Sequence, residues 1–191
     1  MKLLKEHIRH SGRVIGNDIL KVDSFLNHQM DIGLFQEIGQ EFKRRFSENE
    51  ITKILTIEAS GIGIACITAQ YFDNVPVVFA KKFSARNLNS EVYESQVYSF
   101  TKDANYSIRV DKKYLTPSDH VLIIDDFLAN GNAVLGLLDI TKQAQCKVAG
   151  VGIVIEKSFQ SGRDSVLEQK IRLESLARVK SLVGETITFV D

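Results

Sequence analysis

Residues 121–133 read Val121-Leu122-Ile123-Ile124-Asp125-Asp126-Phe127-Leu128-Ala129-Asn130-Gly131-Asn132-Ala133. The opening aliphatic run is typical of a central parallel strand, which is apolar on both faces. Two adjacent carboxylates, a turn rich in Gly and Asn, and an amphipathic helix over 132–144 follow it. Ligands of open α/β sheets bind at the carboxyl ends of such strands, and backbone N–H groups at a helix N-terminus bind phosphate. A sugar phosphate fits this combination, because its hydroxyls donate to carboxylates while its phosphate accepts from amides.

A simpler interpretation is that Asp125 and Asp126 only end a strand and cap the next helix. A cap needs one acceptor rather than two, so we favour the ligand-binding interpretation.

Bulk composition predicts one domain over residues 1–191. The chain is 44% hydrophobic and 25% charged, which is ordinary for a globular protein. Its 24 basic and 24 acidic residues cancel, so neither nucleic acid nor membrane is an expected partner. Cys66 and Cys146 lack the spacing of a metal or redox motif, so we expect a reducing, cytoplasmic location. No stretch approaches the roughly 20 apolar residues of a membrane span.

Alternating patterns along the chain predict an α/β fold with a parallel-cored sheet flanked by helices. The predicted helices lie near 4–11, 35–46, 58–71, 132–144 and 164–170. The predicted strands lie near 14–15, 19–20, 54–57, 75–80, 121–125, 148–155, 173–179 and 186–190. Two further alternating stretches, 96–100 and 106–110, predict a hairpin.

The stretch 121–133 resembles the ribose-5-phosphate motif of the type I phosphoribosyltransferases, which bind phosphoribosyl pyrophosphate with it. Asn130 stands where that family usually has Thr, and Asn132 and Ala133 depart from its common Gly-Thr ending. Together with segments 21–29 and 154–160, the residues at these positions resemble those of the purine branch of the family that uses xanthine. The resemblance implies the type I fold, with a flexible hairpin arm at about 83–110. It also implies a small hood, formed by about 1–35 and the C-terminal segment.

The resemblance implies that Asp125 and Asp126 are catalytic and hold the ribose hydroxyls. The residues implied to bind phosphoribosyl pyrophosphate are Ala59, Ser60, Gly61, Lys81, Lys82, Ala129, Asn130, Gly131, Asn132 and Ala133. The loop at 58–61 lacks the Arg or Lys that many relatives carry, so we expect the lysine pair to supply the charge, with one of the two facing the pyrophosphate. The alternative is an ordinary strand–helix turn beside two solvated lysines.

The residues implied to bind xanthine are Leu20, Asn27, Lys157 and Phe159. Lys157 can donate a charge-assisted hydrogen bond to the 6-oxo group, and Phe159 can stack on the ring. Asn27 suits the 2-oxo edge, and Leu20 supplies apolar contact. Without the resemblance, Asn27 would more often be a turn or cap residue and Lys157 a surface charge.

The arm at about 83–110 carries Arg86, Tyr93 and Lys102. In the family this loop closes over the active site and excludes water during transfer. The alternative is a solvent-exposed hairpin without catalytic contact.

The expected reaction moves the 5-phosphoribosyl group from phosphoribosyl pyrophosphate to N9 of xanthine, forming xanthosine 5'-monophosphate and pyrophosphate. Mg²⁺ is expected to arrive with phosphoribosyl pyrophosphate, with no metal held by the protein alone and no organic cofactor. The resemblance also implies a homodimer. One alternative is a transferase that prefers guanine or hypoxanthine. Another is a regulator that senses phosphoribosyl pyrophosphate, but the chain shows no separate basic DNA-binding module.

Overall fold

The computed structural model describes residues 1–83, 91–99, 104–184 and 186–190. The helices are α1 (Lys2–Ser11), α2 (Ile32–Arg45), α3 (Ser60–Gln70), α4 (Asn132–Gln143) and α5 (Gly162–Leu167). The strands are β1 (Arg13–Ile15), β2 (Ile19–Lys21), β3 (Lys53–Ile57), β4 (Val77–Phe83), β5 (Val92–Ser99), β6 (Ala104–Asp111), β7 (His120–Leu128), β8 (Lys147–Lys157), β9 (Leu173–Val183) and β10 (Thr186–Phe189). A π-helical turn spans Asp23–Asn27, and a 3-10 turn spans Lys112–Tyr114.

The main sheet has the order β10-β9-β8-β7-β3-β4-β6-β5. Pairing is parallel from β9 through β8, β7 and β3 to β4, and antiparallel toward both edges. β7 lies inside the parallel part, and its aliphatic residues are fully buried. The predicted parallel-cored α/β sheet is therefore confirmed.

Apolar cores cover both faces of this sheet. One core joins α1, α2 and α3 to the sheet through large side chains such as Phe35 and Phe42. The other joins α4 and α5 to the sheet through Leu137, Ile140 and Val166. The helices that follow β3 and β7, which are α3 and α4, therefore pack on opposite faces of the sheet.

Several element boundaries differ from the predicted ones, and three of them concern β7, β4 and α5. β7 continues to Leu128 because β8 still pairs with it there, at Glu156. β4 extends to Phe83 because its last residues pair with β6. α5 begins at Gly162, two residues before the predicted start. Strands β7 and β4 are longer than predicted because they form hydrogen bonds with segments distant in the sequence. Sequence periodicity does not reveal such bonds.

The amino-terminal segment packs against the carboxyl-terminal strands. The amino group of Met1 donates to the carbonyl of Leu176, and Nζ of Lys5 donates to the carbonyl of Val190 at 3.0 Å. β1 and β2 form a separate two-stranded antiparallel sheet. The hood boundaries stay a prediction, as does the single domain over the whole chain. None of the helices in the described ranges combines the length and apolar character needed to cross a membrane.

The described part of the arm forms the edge of the main sheet. β5 and β6 pair with each other, and Val97 and Ile108 are buried beside Gly136 of α4. Arg86 and Lys102 lie outside the described residues. The flexibility of the arm stays a prediction.

Candidate active site

The crevice between β3 and β7 is the point at which the chain connections diverge. From β3 the chain crosses through α3 to β4, whereas from β7 it crosses through α4 to β8 on the other side. The two strands pair only as far as Leu55 and Ile123, so the sheet opens beyond these residues. Open α/β sheets bind ligands at such a topological switch point. The two loops predicted to bind phosphate therefore flank one crevice.

Asp125 and Asp126 lie in β7 at this opening. The N–H of Asp126 donates to Oδ1 of Asp125 at 2.9 Å, and the N–H of Phe127 donates to Oδ1 of Asp126 at 3.0 Å. Burial, and then the charge of Asp126, raise the pKa of Asp125 well above its ordinary value, against the opposing charge of Lys82. Two adjacent carboxylates fixed by the main chain can accept hydrogen bonds from neighbouring hydroxyls of a sugar.

Ala59, Ser60 and Gly61 follow β3 and begin α3. A Cβ on Gly61 would clash with Oγ1 of Thr56 and would lie 3.5 Å from Oδ1 of Asp125. The hydroxyl of Thr56 is buried and has no hydrogen-bond partner among the residues that the structure describes. The loop therefore lies directly against the carboxylate strand, and its role as a second phosphate site stays a prediction.

Gly131 links β7 to α4 with a φ of +87°, a left-handed conformation that glycine adopts without strain. The N–H of Gly162 donates to the carbonyl of Ala129 at 3.0 Å. A Cβ on Gly131 would lie 3.2 Å from Cα of Gly162, so the loop rests on the start of α5. Nδ2 of Asn132 donates to the carbonyl of Tyr98 at 3.0 Å, which ties the loop to β5. The positions 129–133 all line a cavity of about 200 Å³.

Lys81 and Lys82 point to opposite sides of β4, as neighbours in a strand do. Nζ of Lys82 lies 5.4 Å from the centroid of the Tyr106 ring, and its charge acts on Asp125. Nζ of Lys81 lies 6.0 Å from the centroid of the Phe79 ring, and Lys81 lines a separate groove of about 560 Å³. Lys82 is thus the member of the pair that lies near the carboxylates of its own chain. Contact of either lysine with a ligand stays a prediction.

The residues predicted to bind the base lie on the hood and at the end of β8. Leu20 is buried in β2, and Asn27 is exposed at the end of the π-helical turn. Nζ of Lys157 donates to the carbonyl of Asp18 at 2.7 Å, so β8 contacts the hood turn. Burial lowers the pKa of Lys157, while the charge of Asp18 opposes this shift. Phe159 is exposed in the turn after β8. Their contacts with a base stay predictions.

Tyr106 and Gly162 were not among the predicted site residues. Tyr106 lines the cavity at the 129–133 loop, and burial, followed by the charge of Asp125, raises its pKa. Alternation in the predicted hairpin placed Tyr106 on the same face as Ile108, but it did not show that this face meets β7. Gly162 precedes the helix predicted near 164–170, and nothing in the local sequence indicates its close approach to Gly131.

Comparisons with known proteins identify the family to which the chain belongs. The phosphoribosyl transferase domain model matches residues 28–176. A xanthine phosphoribosyltransferase from Clostridium novyi is 61% identical over 99% of both chains, and one from Clostridioides difficile is 57% identical over 99% of this chain and 100% of its own. The crystal structure of adenine phosphoribosyltransferase from Rhodothermus marinus has the same fold, with a TM-score of 0.74 at 20% identity over 94% of this chain and 100% of the other. The chain therefore belongs to the phosphoribosyltransferase family.

Proposed function

We propose that the protein transfers the 5-phosphoribosyl group from phosphoribosyl pyrophosphate to N9 of xanthine, forming xanthosine 5'-monophosphate and pyrophosphate. The observation that carries the proposal is the crevice between β3 and β7. It has a carboxylate pair on its floor and a loop suited to phosphate on each side. A donor with a 5'-phosphate, two ribose hydroxyls and a pyrophosphate needs this set of groups.

Each group in the crevice has a separate task in the proposed reaction. The 129–133 loop binds the 5'-phosphate, and Asp125 and Asp126 accept from the 2' and 3' hydroxyls. The 59–61 loop and Lys82 bind the pyrophosphate, whose charge grows as it leaves the anomeric carbon. Transfer then depends on positioning and on charge stabilisation, without a covalent nucleophile.

Xanthine is the proposed acceptor because the full-length relatives above carry that activity in their names. The ammonium of Lys157 supports this choice, because it can donate to a 6-oxo group at the end of β8. Adenine carries an amine at that position and cannot accept this bond. An unpaired buried polar group costs about 1–3 kcal/mol, so adenine should be a poor acceptor.

Mg²⁺ bound to phosphoribosyl pyrophosphate belongs to the proposal. Within the described ranges, no cluster of three His, Cys, Asp or Glu side chains could hold a metal ion. The adjacent carboxylates Asp125 and Asp126 fit Mg²⁺, which binds through one or two carboxylates together with substrate phosphates. When bound, the ion would neutralise charge on the departing pyrophosphate.

A panel of acceptor bases tests the proposal. The wild-type protein would be assayed with phosphoribosyl pyrophosphate, Mg²⁺ and each of xanthine, guanine, hypoxanthine and adenine, and the nucleotide products separated by chromatography. We expect the highest kcat/KM for xanthine and the lowest for adenine. A preference for guanine or hypoxanthine would overturn the base assignment and leave the transfer chemistry standing. Failure to form any nucleotide would overturn the transfer itself.

A homodimer and a cytoplasmic location complete the proposal. The homodimer follows from the family resemblance, and sedimentation of the purified protein tests it directly. Cys66 and Cys146 are both free thiols, which is consistent with a reducing compartment.

A further inference from the structure

Glu156 is a buried carboxylate near the end of β8 to which the reaction above assigns no task. It is 1% exposed, and its two oxygens accept from Arg163, Arg178, Ser158 and Ser175. Burial alone would raise the pKa of Glu156. Hydrogen bonds from Arg163, the two serines and Arg178 outweigh burial and lower this pKa to about 2. Glu156 is therefore an anion at neutral pH.

Arg163 forms a bidentate ion pair with the Glu156 carboxylate through two nitrogens of its guanidinium group. Its Nε lies 2.9 Å from Oε1 and its Nη2 lies 2.7 Å from Oε2. Such a two-pronged pair fixes one geometry, because the planar fork matches the carboxylate. The pair therefore holds the start of α5 in a defined position against the end of β8.

Each member of this pair is adjacent in the chain to a residue at the candidate active site. One of these residues lies at the proposed base-binding end and the other contacts the phosphate loop. Glu156 immediately precedes Lys157, the proposed base-binding residue. Arg163 immediately follows Gly162, whose N–H donates to the carbonyl of Ala129 in the phosphate loop at 3.0 Å. One ion pair thus connects the loop that would bind the 5'-phosphate to the strand end that would bind the base.

We propose that Glu156 and Arg163 are positioning residues that set the separation between the bound base and the bound phosphoribosyl group. This proposal rests on the proposed function. Attack of N9 on the anomeric carbon requires the reacting atoms to approach within about 3–3.5 Å. The phosphate loop binds the phosphoribosyl group, and Lys157 binds the base. The Glu156–Arg163 pair sets the position of the phosphate loop relative to Lys157.

Arg178 provides a matched control for Arg163. Its Nε also lies 2.9 Å from Oε1 of Glu156, but it extends from β9, two strands away from the phosphate loop. Arg163→Lys and Arg178→Lys both keep a positive charge and lose the guanidinium fork. We expect Arg163→Lys to lower kcat/KM for both substrates by about 10- to 100-fold, because misplacement remote from the chemistry can cost that much. We expect Arg178→Lys to leave both values nearly unchanged, although both variants should lose thermal stability.

A positioning role and a purely structural role of the Glu156, Arg163 and Arg178 cluster predict different results for these variants. Equal losses of kcat/KM in both variants, in proportion to their losses of unfolding temperature, would show a purely structural cluster and overturn the proposal. If Arg163→Lys does not fold, Gly162→Ala replaces it, because the added methyl would clash with the carbonyl of Ala129 while the ion pair remains. Unchanged KM for phosphoribosyl pyrophosphate in Gly162→Ala would also overturn the proposal.

A binding measurement separates failure of this inference from failure of the proposed function. Calorimetry with phosphoribosyl pyrophosphate and Mg²⁺ compares the wild-type protein with both lysine variants, whichever base is the acceptor. Weaker binding by Arg163→Lys than by Arg178→Lys supports the positioning role even if the base panel rejects xanthine. Equal affinities in the two variants, with a wild-type protein active on xanthine, refute the positioning role and leave the function intact.

Discussion

Lys157 donates a hydrogen bond of 2.7 Å from its Nζ to the backbone carbonyl of Asp18, in the turn between β1 and β2. This bond connects the end of the parallel sheet to the hood. An ammonium group has three donors, so this bond leaves donors available for a ligand. The hood turn thus sets the position of the charge that is proposed to bind the base.

Replacement of Lys157 by Met should weaken base binding specifically. The change keeps most of the apolar stem and removes the charged donor, and a hydrogen bond from a charged group contributes about 1.5–3 kcal/mol. We expect kcat/KM for xanthine to fall by about 10- to 150-fold at this cost, with KM for phosphoribosyl pyrophosphate nearly unchanged.

Lys180→Met is the matched control for this experiment. Lys180 is exposed on β9, so its loss should leave steady-state kinetics with both substrates unaltered. An equal rise in both KM values for Lys157→Met would contradict a role confined to the base.

Replacement of Asp126 should abolish turnover while the protein stays folded. Asp126 is only partly buried, so Asp126→Asn or Asp126→Ala should cost little stability. Removal of one preorganised group that stabilises the transition state typically lowers kcat about 100-fold or more, and we expect a loss of that size. Single-turnover rates, with circular dichroism as the folding control, measure it. Wild-type turnover in Asp126→Ala would refute the assignment of the carboxylates to the ribose.

The sequence predicted the central strand because burial on both faces leaves a direct pattern, the aliphatic run Val121-Leu122-Ile123-Ile124. It predicted the two loops because Gly and small residues follow each strand. It did not predict where β7 ends, because Asp125, Phe127 and Leu128 remain paired with β8 after pairing with β3 has stopped.

Contacts between distant segments also explain what the sequence left out of the site. Arg163 meets Glu156 only because the turn after β8 brings the start of α5 back to that strand. Tyr106 meets the phosphate loop only because β6 lies between β4 and the edge strand β5. The alternation of β4 predicted that Lys81 and Lys82 would face opposite ways, but not which of them would lie near Asp125. The local sequence shows which side chains of a strand alternate between its two faces. Which of the two faces lies near the site depends on the neighbouring strands.

The titration of Asp125 should appear in both activity and stability. Its pKa is raised in the folded protein, by burial and then by the charge of Asp126, so the folded state binds more protons than the unfolded state above the ordinary Asp range. The free energy of unfolding contributed by Asp125 is therefore present at low pH and falls as pH rises through the raised pKa.

Asp125→Asn should remove this pH dependence of stability. The amide keeps an Oδ1 acceptor for the N–H of Asp126 and never ionises. Relative to the wild type, the variant should therefore gain stability as pH rises from the ordinary Asp range through the raised pKa, as measured by urea unfolding. Its kcat/KM for phosphoribosyl pyrophosphate should be low and should lack the acid limb of the wild type. A constant stability difference across this range would show that Asp125 does not titrate there.

Tyr106 and Lys82 should act together on the pyrophosphate donor. The ring of Tyr106 lies 5.4 Å from Nζ of Lys82, and a cation–π contact contributes about 0.5–2 kcal/mol. Tyr106→Ala and Lys82→Met should each weaken binding of phosphoribosyl pyrophosphate, and the double variant should be less than additive because the residues share one contact. Tyr106→Phe keeps the ring and should retain most of the affinity.

The pair on the other side of β4 supplies the control for this cycle. Nζ of Lys81 lies 6.0 Å from the ring of Phe79, in a groove apart from the carboxylates. Lys81→Met removes the same charge from the neighbouring position of the strand, so calorimetry should find its effect on donor binding smaller than that of Lys82→Met. If the two lysine variants lose affinity equally, the face of β4 does not decide which lysine serves the pyrophosphate. Strict additivity of Tyr106→Ala and Lys82→Met would instead mean that the ring does not hold the ammonium in place.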